Sequence, residues 1–85
     1  MKVAVYPNPF YNYLKVHYNS TEVKDLEVIL VDVNGSVIQR FQHQVLVGEQ
    51  DLLLDIDDNL PAGMYFITIP SDENMSAIPL SKIQM

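Results

Sequence analysis

Extended runs of alternating polarity dominate this chain and limit its fold more than any other feature. In Tyr13–Asn19 the apolar residues Leu14, Val16 and Tyr18 alternate with polar ones, and Asp51–Ile56 has the same alternation. Because successive side chains of a strand point to opposite faces, this pattern predicts strands that are buried on one face.

Further extended runs complete a set of about seven. Leu26–Val33 is almost entirely apolar, which is typical of a central strand covered on both faces. Gln44–Val47 fits either an extension of the preceding run or a separate edge strand. No segment has helical periodicity for more than a turn, so the sequence predicts an all-β fold: an immunoglobulin-like antiparallel β-sandwich of about seven strands. The remaining runs are Lys2–Tyr6, Ser36–Gln42, Met64–Ile69 and Ile78–Gln84.

Turn-forming residues separate these runs. Asn34 and Gly35 lie between two β-like runs, and Asn-Gly is the strongest short-range signal for a hairpin. We expect a type I′ turn there, in which both residues have positive φ.

The segment Leu60–Tyr65 has the pattern of a tyrosine corner. In immunoglobulin-like sandwiches, a Tyr that opens the next-to-last strand donates its hydroxyl to the backbone a few residues upstream. Gly63 supplies backbone freedom for the crossover, and Pro61 restricts the approach. We expect Tyr65 to fill this structural role.

The motif Tyr6-Pro7-Asn8-Pro9-Phe10 ends the first run. Two prolines fix φ on either side of Asn8, and the second proline biases Asn8 towards an extended conformation. We expect a rigid corner that bends into the second strand without pairing. Docking of this proline segment in an aromatic groove is the weaker alternative.

Composition restricts the classes of function. We assign all 85 residues to one domain; the net charge is −6 and no cysteine is present. Scattered cations argue against nucleic-acid and anionic-membrane binding, and no run is long enough to predict membrane insertion. The lack of cysteine excludes disulfides and zinc–thiolate sites. The five basic side chains are Lys2, Lys15, Lys24, Arg40 and Lys82.

Few residues suggest a metal site or a catalytic site. Asp55, Asp57 and Asn59 suggest a calcium loop, but an EF-hand would then need Gly and Glu where this chain has Leu60 and Phe66. We expect His17 on the solvent face of its strand, and His43 has no nearby Ser or Cys in a recognisable catalytic arrangement. We therefore expect no enzyme, no metal and no cofactor.

Three motifs occur in order between the β-like runs, followed by a terminal strand near the chain end. They are Tyr6-Pro7-Asn8-Pro9, Asp32-Val33-Asn34-Gly35 and Leu60-Pro61-Ala62-Gly63-Met64-Tyr65-Phe66. In this order and spacing, the chain resembles the type A C-terminal sorting domain of the bacterial type IX secretion system, over essentially its whole length. The resemblance implies an immunoglobulin-like targeting module, here excised from a larger exported protein.

The resemblance also implies partners and a location. Cargo of this family crosses the inner membrane with an ordinary signal peptide, and the outer-membrane translocon then recognises the folded C-terminal domain. In many members a sortase-like protease removes the domain and attaches the cargo to the cell surface. We therefore expect passage through the periplasm and a final location at the cell surface or outside the cell.

The terminal run Ile78–Gln84 is the candidate for translocon recognition. Pro79 lacks a backbone donor, which favours an edge position, and an edge strand can accept a partner strand by β-augmentation. Family members often end on a lysine-rich strand, whereas this run contains one lysine. The proposed recognition residues are Ile78, Leu80, Lys82 and Ile83.

Two other functions are compatible with the same predicted fold. A fibronectin-type-III-like adhesion or carbohydrate-binding module also has a sandwich with a tyrosine corner. Tyr11 and Tyr13 could form a small aromatic platform, although core packing explains them equally well. A structural spacer between larger domains is the second of these alternatives.

Overall fold

Seven strands in two antiparallel sheets make up the computed structural model, which describes residues 3–72 and 75–84. No helix occurs in these residues. The strands are β1 (Ala4–Tyr6), β2 (Tyr13–Ser20), β3 (Lys24–Asp32), β4 (Val37–Val45), β5 (Gly48–Asp55), β6 (Gly63–Thr68) and β7 (Ile78–Lys82).

The strand order is that of an immunoglobulin-like sandwich. The three-stranded sheet has the order β1-β2-β5, and the four-stranded sheet has the order β4-β3-β6-β7. Every neighbouring pair is antiparallel. The predicted all-β sandwich of about seven strands is therefore confirmed.

Alternation along the strands creates the core between the sheets. Leu14, Val16 and Tyr18 of β2 are buried, and Leu52 and Leu54 of β5 are buried beside them. The intervening side chains of both strands are exposed or half-buried, as the period of two predicts. The opposing sheet contributes Leu26, Val28 and Leu30 from β3, and Tyr65 and Ile67 from β6.

The structure also shows how Gln44–Val47 is arranged, a segment that the sequence assigned either to the preceding strand or to a separate edge strand. β4 continues to Val45, and β5 begins at Gly48 in the other sheet, so Leu46 and Val47 cross between the sheets. The Gln50 side chain holds this crossover, because its Oε1 accepts from the Leu46 N–H at 3.0 Å and its Nε2 donates to the Leu46 carbonyl at 2.6 Å. The expected first strand included Lys2, which lies outside the described residues.

The hairpin predicted at Asn34 and Gly35 joins β3 and β4, but the turn type was wrong. Only Gly35 has positive φ, at 83°, whereas a type I′ turn needs positive φ at Asn34 as well. The Gly35 N–H donates to the Asp32 carbonyl, and the Asp32 N–H donates to the Ser36 carbonyl, each at 3.0 Å. These bonds define a three-residue loop with glycine in the left-handed position.

The Asp32 side chain explains why this loop forms instead. Its Oδ1 accepts from the backbone N–H groups of Asn34 at 2.9 Å and Ser36 at 3.0 Å. An Asp side chain that accepts from the residue two positions on stabilises a turn beginning at the Asp itself. The turn is therefore one residue longer than the Asn-Gly pair alone predicts.

The crossover from β5 to β6 carries the tyrosine-corner contact. The Tyr65 hydroxyl donates to the Pro61 carbonyl at 2.8 Å, and the Tyr65 ring packs edge-on against Phe10 with centroids 6.3 Å apart. Gly63 adopts φ 149°, a conformation that L side chains rarely adopt. The hydroxyl thereby holds the loop against the strand that follows it.

Tyr65→Phe should destabilise the domain by about 1 to 3 kcal/mol, because the Pro61 carbonyl loses its donor while the buried ring stays. Urea unfolding of the purified domain measures this difference. A Phe variant with the same unfolding midpoint as the wild type would show that the hydroxyl contact contributes nothing to stability.

Candidate functional site

The terminal strand β7 lies at an edge of the four-stranded sheet, with β6 on one side. An edge strand normally exposes a row of unpaired backbone groups to which another chain can bind. Whether those backbone groups are free or already hydrogen-bonded decides whether a partner strand can pair with β7.

Residues Asn8–Phe10, which we call the edge segment, cover this outer edge. The Phe10 N–H donates to the Ser81 carbonyl at 2.9 Å, and the Ile83 N–H donates to the Phe10 carbonyl at 2.9 Å. These bonds form a parallel bridge between Phe10 and Lys82. The Asn8 Oδ1 accepts from the Ser81 N–H at 3.0 Å.

The expectation that the proline motif bends without pairing was therefore wrong. The motif contains two cis peptide bonds, Tyr6–Pro7 and Asn8–Pro9. The residues that follow run beside β7, because the Phe10 side chain is completely buried in the core and brings its backbone into register with Lys82.

The edge segment leaves β7 without a free outward donor in the residues described. Alternate residues of an edge strand direct their backbone groups outward. In β7 and its continuation these are Pro79, Ser81 and Ile83, since Ser81 and Ile83 bond the edge segment. Pro79 has no N–H, and the other two N–H groups already have acceptors.

The four residues proposed for translocon recognition occupy different environments. Leu80 and Lys82 are buried, with 1% and 2% of their surface exposed, and Ile78 is half-buried against the core. Ile83 is exposed. In the folded domain Leu80 and Lys82 support the strand from inside, and Ile83 is the member of the set most open to a partner.

Lys82 is a buried lysine whose ammonium group contacts two other parts of the chain as well as the adjacent residue Ile83. Its Nζ donates to the carbonyls of Asp58 at 3.4 Å and Ile83 at 3.3 Å, and lies 5.1 Å from the centre of the Tyr11 ring. A buried ammonium is costly unless carbonyl oxygens or aromatic rings replace its water. Lys82 thus links the terminal strand to the loop before β6 and to the segment after Phe10.

Sequence patterns did not reveal this arrangement. Asn8 and Ser81 are 73 residues apart, and no local periodicity reports a contact of that separation. Lys82 looks like an ordinary solvent-facing residue, because lysine is rarely buried. One usable signal is the alternation of β7 itself, which places Ile78, Leu80 and Lys82 on the same face.

A second group of interacting polar side chains lies on the outer face of the three-stranded sheet. His17 Nδ1 is 2.8 Å from Asp51 Oδ1, and His17 Nε2 is 3.3 Å from Glu49 Oε1. Both ring nitrogens face carboxylates, which favours the doubly protonated imidazolium because only that form donates from both nitrogens.

The pKa values of this group follow from these contacts. The pKa of His17 is raised, mainly by its hydrogen bond with Asp51 and next by that with Glu49. The pKa of Asp51 is lowered, mainly by His17 and next by a hydrogen bond from Tyr6, while Lys15 adds a weaker attraction. The pKa of Tyr6 is raised by its bond to Asp51.

Other site types have no counterpart in the part of the chain that the structure describes. No three or more His, Cys, Asp or Glu side chains gather in a way that could hold a metal ion. No helix there is long and apolar enough to cross a membrane. Asp57, considered above as a calcium ligand, accepts through its Oδ1 from the Asn59 N–H at 2.9 Å.

Comparison with known protein families gives a match over nearly the whole chain. The family described as the secretion system C-terminal sorting domain matches residues 4–82. Neither a curated protein nor a solved structure matches the chain. The matched range begins at the first residue of β1 and ends at the last residue of β7.

Asn8→Ala should destabilise the domain by about 0.5 to 1.5 kcal/mol, because the Ser81 N–H loses its acceptor. Asn8→Asp is the matched control, since it keeps an oxygen at the same position. Urea unfolding of the three proteins measures the difference. Equal midpoints for Asn8→Ala and the wild type would show that this bond does not hold the edge closed.

Stability should also depend on the charge of His17. Because folding raises the His17 pKa, protonated His17 contributes its full stabilisation below the unfolded pKa of about 6.5, and the contribution disappears as the pH rises through the folded pKa. Asp51, whose pKa is lowered, stays ionised throughout this range.

Urea unfolding between about pH 5 and pH 8 should therefore show a loss of stability in the wild type that His17→Gln lacks. The titration of His17 by NMR gives a second readout, and Asp51→Asn should move the His17 pKa back towards its ordinary value. Parallel stability curves for the wild type and His17→Gln would contradict the coupling.

Proposed function

Since the chain belongs to the family of secretion system C-terminal sorting domains, we propose that its folded sandwich directs a covalently linked upstream cargo through the type IX translocon. The family assignment itself makes the chain a type IX sorting signal, so it implies export across the outer membrane to the cell surface or the extracellular space. Periplasmic transit and recognition by a translocon subunit are our proposals.

The observation that carries this proposal is the agreement between the family match and the fold. The match spans residues 4–82, and the same range contains all seven strands. A signal that coincides with a whole sandwich suits recognition as a folded surface, in contrast to a short unfolded peptide. We accordingly propose that residues 1–85 act as one domain and as one signal.

Within that signal, the terminal strand is the proposed recognition element. Ile83 is exposed and available to a partner, whereas Leu80 and Lys82 hold the strand in place from the core. Ile78, half-buried at the start of β7, packs against the core on the same face as Leu80 and Lys82. After export, removal of the domain by a sortase-like protease and surface anchoring of the cargo would complete the pathway that the resemblance implies.

An adhesion or carbohydrate-binding module of the fibronectin type III kind remains compatible with the fold alone. The same sandwich serves many functions, so fold similarity does not select among them. The exposed tyrosines on the outer face of the three-stranded sheet are Tyr6 and Tyr13, and both neighbour charged side chains. The family match favours the sorting function.

A reporter protein with an ordinary signal peptide at its front and residues 1–85 at its end tests the proposal. In a host with an intact type IX system we expect the reporter at the cell surface or in the medium. In a strain without the translocon, and for a fusion lacking residues 1–85, we expect it in the periplasm. Retention of the complete fusion in the periplasm of both strains would contradict the sorting function.

A further inference from the structure

We propose that the secretion machinery contacts the outer face of β6 and β7 through the exposed and half-buried apolar side chains there, and does not add a strand to the β7 edge. This inference rests on the proposed function and specifies its recognition surface. The surface, which we call the β6–β7 outer face, consists of Met64, Phe66, Pro79 and Ile83.

Three of the four sides of β7 are already occupied. β6 pairs with one edge, and the edge segment covers the other. The inner face carries Leu80 and Lys82, which are buried. Addition of a partner strand would first require removal of Phe10 from the core, where none of its surface is exposed. The outer face is the side that a partner can reach in the folded domain.

The strand register places the apolar side chains of this face together. Tyr65 and Ile67 point into the core, so Met64 and Phe66 point outward. Phe66 of β6 lies directly opposite Pro79 of β7 in the strand register. The bonds of the edge segment continue the extended backbone as far as Ile83, which therefore lies on the same side as Pro79.

The apolar surface continues onto the neighbouring strands. Phe66 pairs with Val31 of β3, and Val31 pairs with Val37 of β4, which is 45% exposed. One apolar row thus crosses all four strands. Ile29, two residues before Val31, is buried although it is not part of the main core cluster.

Charge is distributed unevenly on this sheet. The outward residues of β6 and β7 that the structure describes are uncharged, in a chain whose net charge is −6. The charged residues of the outer face are on β3 and β4, where Arg40 Nη1 is 3.4 Å from Glu27 Oε2. The β6–β7 outer face therefore suits an uncharged, apolar partner surface.

The size of the patch distinguishes such a partner from a second copy of the chain. The β6–β7 outer face spans two strands about 4.8 Å apart and three rows of outward side chains about 7 Å apart, which is roughly 200 Å². A stable interface buries about 800 Å² on each partner. The patch is too small for a stable homodimer and suits a brief contact with a receptor that must release its cargo.

The double variant Met64→Gln/Ile83→Thr tests this surface in the reporter fusion. Both changes remove apolar character at exposed positions with little change of size. Met64→Leu/Ile83→Val keeps the apolar character at the same positions. Leu53→Gln is the matched control, because Leu53 is 55% exposed on the outer face of the opposite sheet. Urea unfolding of each purified domain first establishes that it is folded with near wild-type stability.

We expect the export rate of the Gln/Thr variant to fall about tenfold, the effect of removing two modest apolar contacts. The Leu/Val variant and Leu53→Gln should be exported at the wild-type rate. If the Gln/Thr variant is less stable than the wild type, Met64→Gln alone provides the comparison with Leu53→Gln.

The outcomes separate the two proposals. Wild-type export of the Gln/Thr variant, with translocon-dependent export of the parent, overturns the recognition surface and leaves the sorting function intact. An equal loss in Leu53→Gln also overturns it, because the effect would then follow from any lost surface apolarity. A parent fusion that is not exported overturns the sorting function and the recognition surface together.

Discussion

The contact on which this structure most depends is the docking of the edge segment along the terminal strand. Phe10 enters the core and meets the Tyr65 ring, while its backbone bonds Ser81 and Ile83. One residue therefore connects the start of the chain, the tyrosine corner and the last strand. Without it, β7 would expose an unpaired edge, and the core would lose a large aromatic side chain.

The strands were readable from sequence because each depends on its own local pattern. Alternation in β2 and β5 follows from one buried face, and the apolar run of β3 follows from its central position. The Asn34 turn was misjudged because the Asp32 side chain, outside the Asn-Gly pair, supplies two of the bonds that shape it. A short signal therefore located the hairpin but not its geometry.

The candidate site was less predictable, because its contacts join distant residues. Pro79 indicated an edge position for β7, and β7 is an edge strand. That the edge is covered depends on Asn8 and Phe10, which no pattern near β7 reveals. The Lys82 ammonium group is buried against the Asp58 carbonyl and the Tyr11 ring, which belong to two other segments. The rule that lysines are exposed therefore does not identify Lys82 as buried.

The bond between Asn8 and Ser81 has a consequence for how the signal is made. The two residues are 73 positions apart, with the strands β2 to β6 between them. A chain whose synthesis stops before Ser81 leaves the edge segment without a strand to cover, and the outer face of β6 and β7 is never assembled. The end of β7 is thus required for a covered edge, and a domain that loses it to truncation or proteolysis would present an open edge strand in its place.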